Sequence, residues 1–164
     1  MTDYNYPRLL KLYFQQTQHY STTANDRMSF QGPILYSYNS ELAYYDKPNN
    51  TLLLDIHIAN YSNTTKRHVT KLQSYLPTNT QVFRINLRST AQSNLQLYWD
   101  RITETLAKHK RARLPHTKSY HADNAKQLYQ IAMDYVNYTN LDKRTKVYKY
   151  HTKIMAQLFE HKLL

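Results

Sequence analysis

The chain has 164 residues, 41% hydrophobic with 17 tyrosines, so much of its apolar material is amphipathic while the length suffices for one core without staples. The absence of cysteine excludes disulfides, thiolate zinc sites and cysteine nucleophiles and fits a reducing compartment, and the lone glycine, Gly32, excludes the glycine-rich loops that let backbone approach a pyrophosphate. Lysine and arginine number 22 against 11 acidic residues, a net charge of +11 expected of a protein with a polyanionic partner.

In chain order, the opening MTDYNYPRLLKLYF lacks the charged start and apolar stretch of a signal peptide, and no apolar run reaches spanning length, so a cytoplasmic protein without a membrane segment is expected. Leu9, Leu10, Leu12, Tyr13 and Phe14 suit a short helix or an edge strand, and TQHYSTTANDRMS reads as a loop. The stretch ILYSYNSELAYYDKPNNTLLLDIHI clusters β-formers around two turn signals, predicting antiparallel strands over 34–38, 41–46 and 51–58. Thr65, Val69, Leu72 and Leu76 recur at helical spacing before Pro77, predicting a helix over 63–76. QVFRINL at 81–87 predicts a fourth strand, with Val82 or Phe83 on its inward face.

Three helical patterns follow. The first covers 90–110, with the stripe Leu95, Tyr98, Trp99, Ile102 and Leu106 after the capping-box-like Ser89-Thr90-Ala91-Gln92. The second covers 121–138, with Ala125, Leu128, Tyr129, Ala132, Tyr135 and Val136, and the third covers 141–161, opened by Asn140 as its N-cap. KRARLPHTKSYH between the first two has no apolar stripe and reads as an exposed loop. The expected fold is α+β: a small antiparallel sheet of about four strands followed by, and packed against, about four helices. It forms a single domain, 1–164, with a β-rich part at 34–87 and a basic helical part at 88–164.

Ser37-Tyr38-Asn39, then Leu42-Ala43, a turn, and Tyr61-Ser62-Asn63-Thr64-Thr65-Lys66-Arg67-His68 form a recognisable pattern. Over about residues 34–76 the chain resembles a small uncharacterised domain common in proteins encoded by bacteriophages and plasmids, with the pattern S-Y-x-T-x-I-A, a hairpin, then Y-S-x-T-T-x-x-H. Ser40 and Leu42 stand where that pattern has Thr and Ile. The resemblance implies a mobile-element origin and no particular mechanism.

Within YSNTTKRH, Ser62 or Asn63 sits where a helix N-cap is needed, and Thr64 and Thr65 fall four and three residues before His68, on one helical face. Two readings stand side by side: a cap that ties the helix to the hairpin, or a phosphate contact made with Lys66 and Arg67.

Charge is concentrated late: Met1–Val82 has 7 basic and 5 acidic residues, whereas Phe83–Leu164 has 15 and 6. Lys108, Lys110, Arg111, Arg113 and Lys118 form one cluster, more than a helix C-terminus needs for its dipole. Lys143, Arg144, Lys146, Lys149 and Lys153 form a second, the last three spaced along one helical face. A solvated helix face explains each cluster alone; two in one half favour nucleic-acid contact, with tyrosines available to stack on bases.

The eight histidines lack the i, i+4 pairing with a nearby carboxylate that marks a helical zinc site, and three glutamates and eight aspartates form no paired-carboxylate motif, so neither metal nor cofactor is expected. The leading expectation is a non-enzymatic accessory protein of a mobile element. It would bind DNA, RNA or a host nucleoprotein in the bacterial cytoplasm, with a homodimer as a further option. The alternatives are an anti-defence inhibitor of the anti-CRISPR type, directed at a host effector protein or its guide RNA, and a nuclease or strand-transfer enzyme using a tyrosine with His57 or His68.

Overall fold

The computed structural model describes residues 2–3, 5–24 and 26–161. The chain is α+β with more than half of its residues in helices, and it divides into two compact units, Met1–Arg88 and Ser89–Leu164.

The first unit is a mixed sheet with helices on one face. The two-residue β1 (Thr2–Asp3) is followed by helix α1 (Tyr6–Gln15) and six longer strands: β2 (Tyr20–Thr23), β3 (Met28–Gln31), β4 (Ile34–Ser37), β5 (Ser40–Asp46), β6 (Thr51–Asp55) and β7 (Gln81–Ile85). Helices α2 (Ile56–Asn60) and α3 (Asn63–Ser74) lie between β6 and β7. The strands stand in the sheet in chain order. Neighbours from β2 to β6 are antiparallel, while β1–β2 and β6–β7 are parallel. The antiparallel four-strand sheet expected from sequence is therefore corrected to a mixed seven-strand one. The reason is geometric: the helices between β6 and β7 carry the chain back to the end at which β6 began, and a strand that re-enters beside it after a helical crossover runs parallel to it.

Alternation builds the core. Met28, Phe30, Leu35, Ala43, Leu52 and Leu54 are buried from the strands, against Leu9, Leu10, Tyr13 and Phe14 of α1 and Val69 and Leu72 of α3. Val82 packs against this core, and Phe83 and Ile85 are buried as well. Leu42 and Ala43 are adjacent yet both buried, because a register shift at Leu35/Tyr36 leaves one extra residue on β5.

Of the two readings of the N-terminal leucines, the helix holds. Asn5 caps it by accepting from the Arg8 N–H (3.0 Å), Pro7 occupies its first turn, and Gln16 ends it at φ 48°. The stretch read as a loop after it instead supplies β2 and β3, apart from Asn25, which lies outside the described residues.

The second unit is three helices: α4 (Ala91–Arg111), α5 (Pro115–Thr139) and α6 (Lys146–Glu160), with α4 packed against both α5 and α6. Thr90 caps α4 by accepting from the Ser93 N–H. α5 starts six residues before its expected start and α4 runs to Arg111, so nine of the twelve residues read as a loop are helical; Pro115 suits the first turn, where its missing N–H is no loss. Asn140 is not the N-cap of α6 but the left-handed C-cap of α5 (φ 49°), and Thr145 caps α6. Trp99 donates its indole N–H to the Val147 carbonyl (2.9 Å), and His151 stacks on Tyr148 and bonds the Tyr129 hydroxyl (2.7 Å), which fixes α6 on the pair. Among the described residues no helix is long and apolar enough to cross a membrane.

Candidate functional site

Two features carry chemistry. One is the set of cations anticipated from sequence; the other is a pocket that collects the motif residues of the first unit.

All twelve anticipated cations are exposed: Lys66 and Arg67 on α3; Lys108, Lys110 and Arg111 at the end of α4; Arg113 in the connection; Lys118 on α5; Lys143 and Arg144 before α6; and Lys146, Lys149 and Lys153 along it. Two are neutralised locally. Lys108 pairs with Glu104 at 2.8 Å, and that hydrogen bond holds the Glu104 carboxyl below its usual range. Arg144 forks onto Asp142, with three bonds of 3.0–3.1 Å that lower the Asp142 pKa likewise. The other ten have no carboxylate partner among the described residues.

These cations do not meet at one point. The His109 and His161 rings lie 5.3 Å apart, so the ends of α4 and α6 share one end of the bundle, where Lys108–Lys118 reside. The Trp99–Val147 bond sets the start of α6 beside the middle of α4. Lys143–Lys149 therefore sit about 20 Å along the bundle from the first cluster, at 1.5 Å per helical residue. Lys153 lies between, its ammonium 5.0 Å from the centroid of the Tyr150 ring. Residues 89–164 carry 13 basic and 6 acidic side chains, so the helical unit alone is net +7.

At the other feature, Ser62 caps α3 by accepting from the Thr65 N–H at 3.1 Å, and its hydroxyl also meets that of Thr65. The capping role read from sequence is thus present. His68 does not pair with Thr64 or Thr65. Its Nδ1 lies 2.8 Å from the Ser37 hydroxyl and its Nε2 3.3 Å from the Tyr6 hydroxyl. A neutral imidazole has one donor and one acceptor nitrogen, so one hydroxyl donates to the ring while the other accepts from it. Burial pushes the His68 pKa down, with the positive charges of Lys71 and Arg27 adding to the effect, and the ring is neutral at pH 7. Ser37 and His68 are 31 residues apart and on different elements. Only the recurrence of both in one motif pointed to them; nothing at helical spacing did.

Beside this pair is a pocket of about 370 Å³, with Ser37, Ser40, Ser62 and Thr65 inside it, Ile58 on its wall, and Tyr38 and Tyr61 at its mouth. Tyr61 is 84% exposed and Tyr38 44%. Tyr38 has φ 55°, a left-handed backbone costly for a bulky residue, and is held there by its N–H bonding the Arg27 carbonyl at 2.8 Å. Asp55, which sequence reasoning did not single out, ties the neighbouring chain: its side chain accepts from the N–H groups of His57 (2.9 Å), Ile58 (2.8 Å) and Leu87 (3.0 Å). Among the described residues no group of three or more His, Asp or Glu side chains is placed to hold a metal ion.

With that geometry in place, a family model described as a family of unknown function (DUF8033) matches residues 9–83. The match includes all but the first three residues of α1 and every residue of the Ser37–His68 pocket. It shows similarity to an uncharacterised domain over that stretch. No curated protein and no solved structure matches the chain.

Proposed function

We propose that this protein is a non-enzymatic, nucleic-acid-binding accessory protein acting through the cations of its helical unit. The observation that carries the reading is that ten of the twelve anticipated cations are exposed and unpaired, eight of them on a three-helix unit of net +7. Exposed lysines and arginines held by no carboxylate are free to displace counterions from a phosphate backbone, the step that supplies most non-specific affinity. The bundle-end cluster of Lys110, Arg111, Arg113 and Lys118 offers the highest local density, and the row on α6 extends it along the helix. The resemblance of residues 34–76 supports an origin in a phage or another mobile element, acting in the cytoplasm of its bacterial host.

The test is a mobility shift of a labelled 20-base-pair duplex and its single strand with wild type and with the triple variant Lys110→Glu, Arg111→Glu, Arg113→Glu. Wild type binds; the variant loses binding and stays folded, melting only a few degrees lower, because Lys110 and Arg111 lie in the last turn of α4, where each cation is worth about 0.3–1 kcal/mol to the helix dipole. Equal binding by both proteins overturns the reading. Retention of a bacterial effector protein with no affinity for bare nucleic acid would place the chain in the anti-defence class instead.

A further inference from the structure

We infer that the pocket in the first unit receives one unpaired nucleotide of a single strand, stacked on Tyr61 and Tyr38 and read by the hydroxyls inside. The proposal rests on the nucleic-acid reading above and assigns it a second, chemically different contact.

Size comes first. At about 370 Å³ the pocket falls at the small end of ligand sites, about 300–1,000 Å³, where a single nucleotide belongs. The chemistry of its walls suits the mixed edge of a nucleobase: the Ser40 hydroxyl has no side-chain partner among the described residues, and the Ser62 and Thr65 hydroxyls, bonded to each other, keep lone pairs for a ligand donor, while Ser37 is engaged with His68 behind them. No carboxylate lines it, so nothing inside repels a phosphate.

The mouth gives the direction. Tyr61 keeps 84% of its surface exposed, and its side chain has no hydrogen-bond or ring partner among the described residues, so nothing in the fold requires an aromatic there. Tyr38 occupies a left-handed turn position that suits glycine or asparagine, with Asn39 next in the chain, and its half-exposed ring leans on the buried His68 ring at 5.8 Å, which leaves one face toward the mouth. Aromatic rings beside a polar cavity are the stacking platform on which unpaired bases rest.

Charge completes the site. Lys66 lies one helical turn after Ser62, on the same face of α3, with Arg67 next to it, and both are exposed without carboxylate partners. They stand where the phosphates flanking a bound base need cations. The buried Ser37–His68 pair beneath, with the half-buried Tyr6, then holds the pocket wall in place.

The experiment measures fluorescence anisotropy of a labelled 12-nucleotide oligothymidine, an oligouridine of equal length and a 12-base-pair duplex against wild type, Tyr61→Ala and Tyr38→Gly. Tyr61 is exposed and glycine suits φ 55°, so both variants keep the fold, which circular dichroism verifies. Each variant should bind the single strands about 5- to 150-fold more weakly, the worth of one stacked base, with duplex affinity within twofold. Single-strand binding unchanged in both variants overturns the pocket and leaves the basic surface standing. Tyrosine-dependent single-strand binding with no duplex binding supports the pocket and tells against the basic helical surface. Wild type that binds none of the three overturns both.

Discussion

Replacing Ser37 by alanine isolates the side-chain hydrogen bond that, among the described residues, joins β4 to α3. The hydroxyl sits 2.8 Å from His68 Nδ1, and both residues are 2% exposed, so water does not reach the vacated nitrogen. An unsatisfied buried polar group costs about 1–3 kcal/mol. For a chain of this length, that corresponds to a loss of roughly 2–12 °C in melting temperature. His68→Phe should cost a similar amount, because it strands the Ser37 hydroxyl while the Tyr6 hydroxyl, on a half-buried residue, can turn to solvent. Removing both partners leaves no orphan at that bond. The double variant should therefore be less destabilised than the sum of the singles, by about 0.5–3 kcal/mol, as contacting residues couple. Urea denaturation followed by far-ultraviolet circular dichroism on the four proteins measures the cycle. Strictly additive losses, or a Ser37→Ala protein as stable as wild type, would refute the claim that this pair holds the pocket wall.

Asp55→Asn keeps one oxygen for the N–H groups at the start of α2 but turns an amide donor toward the Leu87 N–H, and should cost about 1–3 kcal/mol in the same assay; no loss would contradict the three-bond tie. Ser62→Ala should cost about 0.5–2 kcal/mol through the lost cap of α3, and a negligible change would remove that role. Acid should weaken the fold from about pH 6.5 downward, because His68, His109 and His151 all have pKa values lowered by burial, so that the unfolded chain takes up protons the folded chain refuses. Stability is complete above that pH and falls as it drops toward the lowered values. His68, the buried one of the three, contributes a slope of at most about 1.4 kcal/mol per pH unit, and the partly exposed His109 and His151 less. Stability that is flat between pH 7 and 5 would contradict the neutral, buried placement.

The elements legible in the sequence are those with strong local grammar. β4, β5 and β6 alternate between firm turn signals, α3 has its cap and stripe, and α4 has both Thr90 and five apolar positions at helical spacing. What escaped lacked such marks. β2 and β3 are four residues each, and β2 buries Ser21, Thr22 and Thr23 rather than aliphatic side chains, so no hydrophobic alternation betrays it. The first turns of α5 are exposed and basic, giving no stripe until Ala122. Asn140 suits both an N-cap and a left-handed C-cap, and composition alone does not choose between them. The parallel pairing of β6 with β7 is legible, since the helix over 63–76 stands between the two strands.

At the site, exposure of the twelve cations was legible because lysine and arginine rarely bury, while their division between two ends of a bundle depends on how three helices pack. Ser37, His68 and Tyr6 span 62 residues of chain and meet only in the fold. Tyr38 and Tyr61 were two among 17 tyrosines, distinguished by exposure at the pocket mouth rather than by sequence.

The helical unit's cations as phosphate contacts are the core of the account, and the salt dependence of duplex affinity tests them most directly. If Lys110, Arg111, Arg113 and Lys118 each contact a phosphate, log K should fall with log salt at a slope of about −3.6 or steeper. Neutralising the first three as Lys110→Gln, Arg111→Gln and Arg113→Gln should flatten that slope by about 2.7. A slope near zero for wild type, or the same slope in both proteins, would contradict the account.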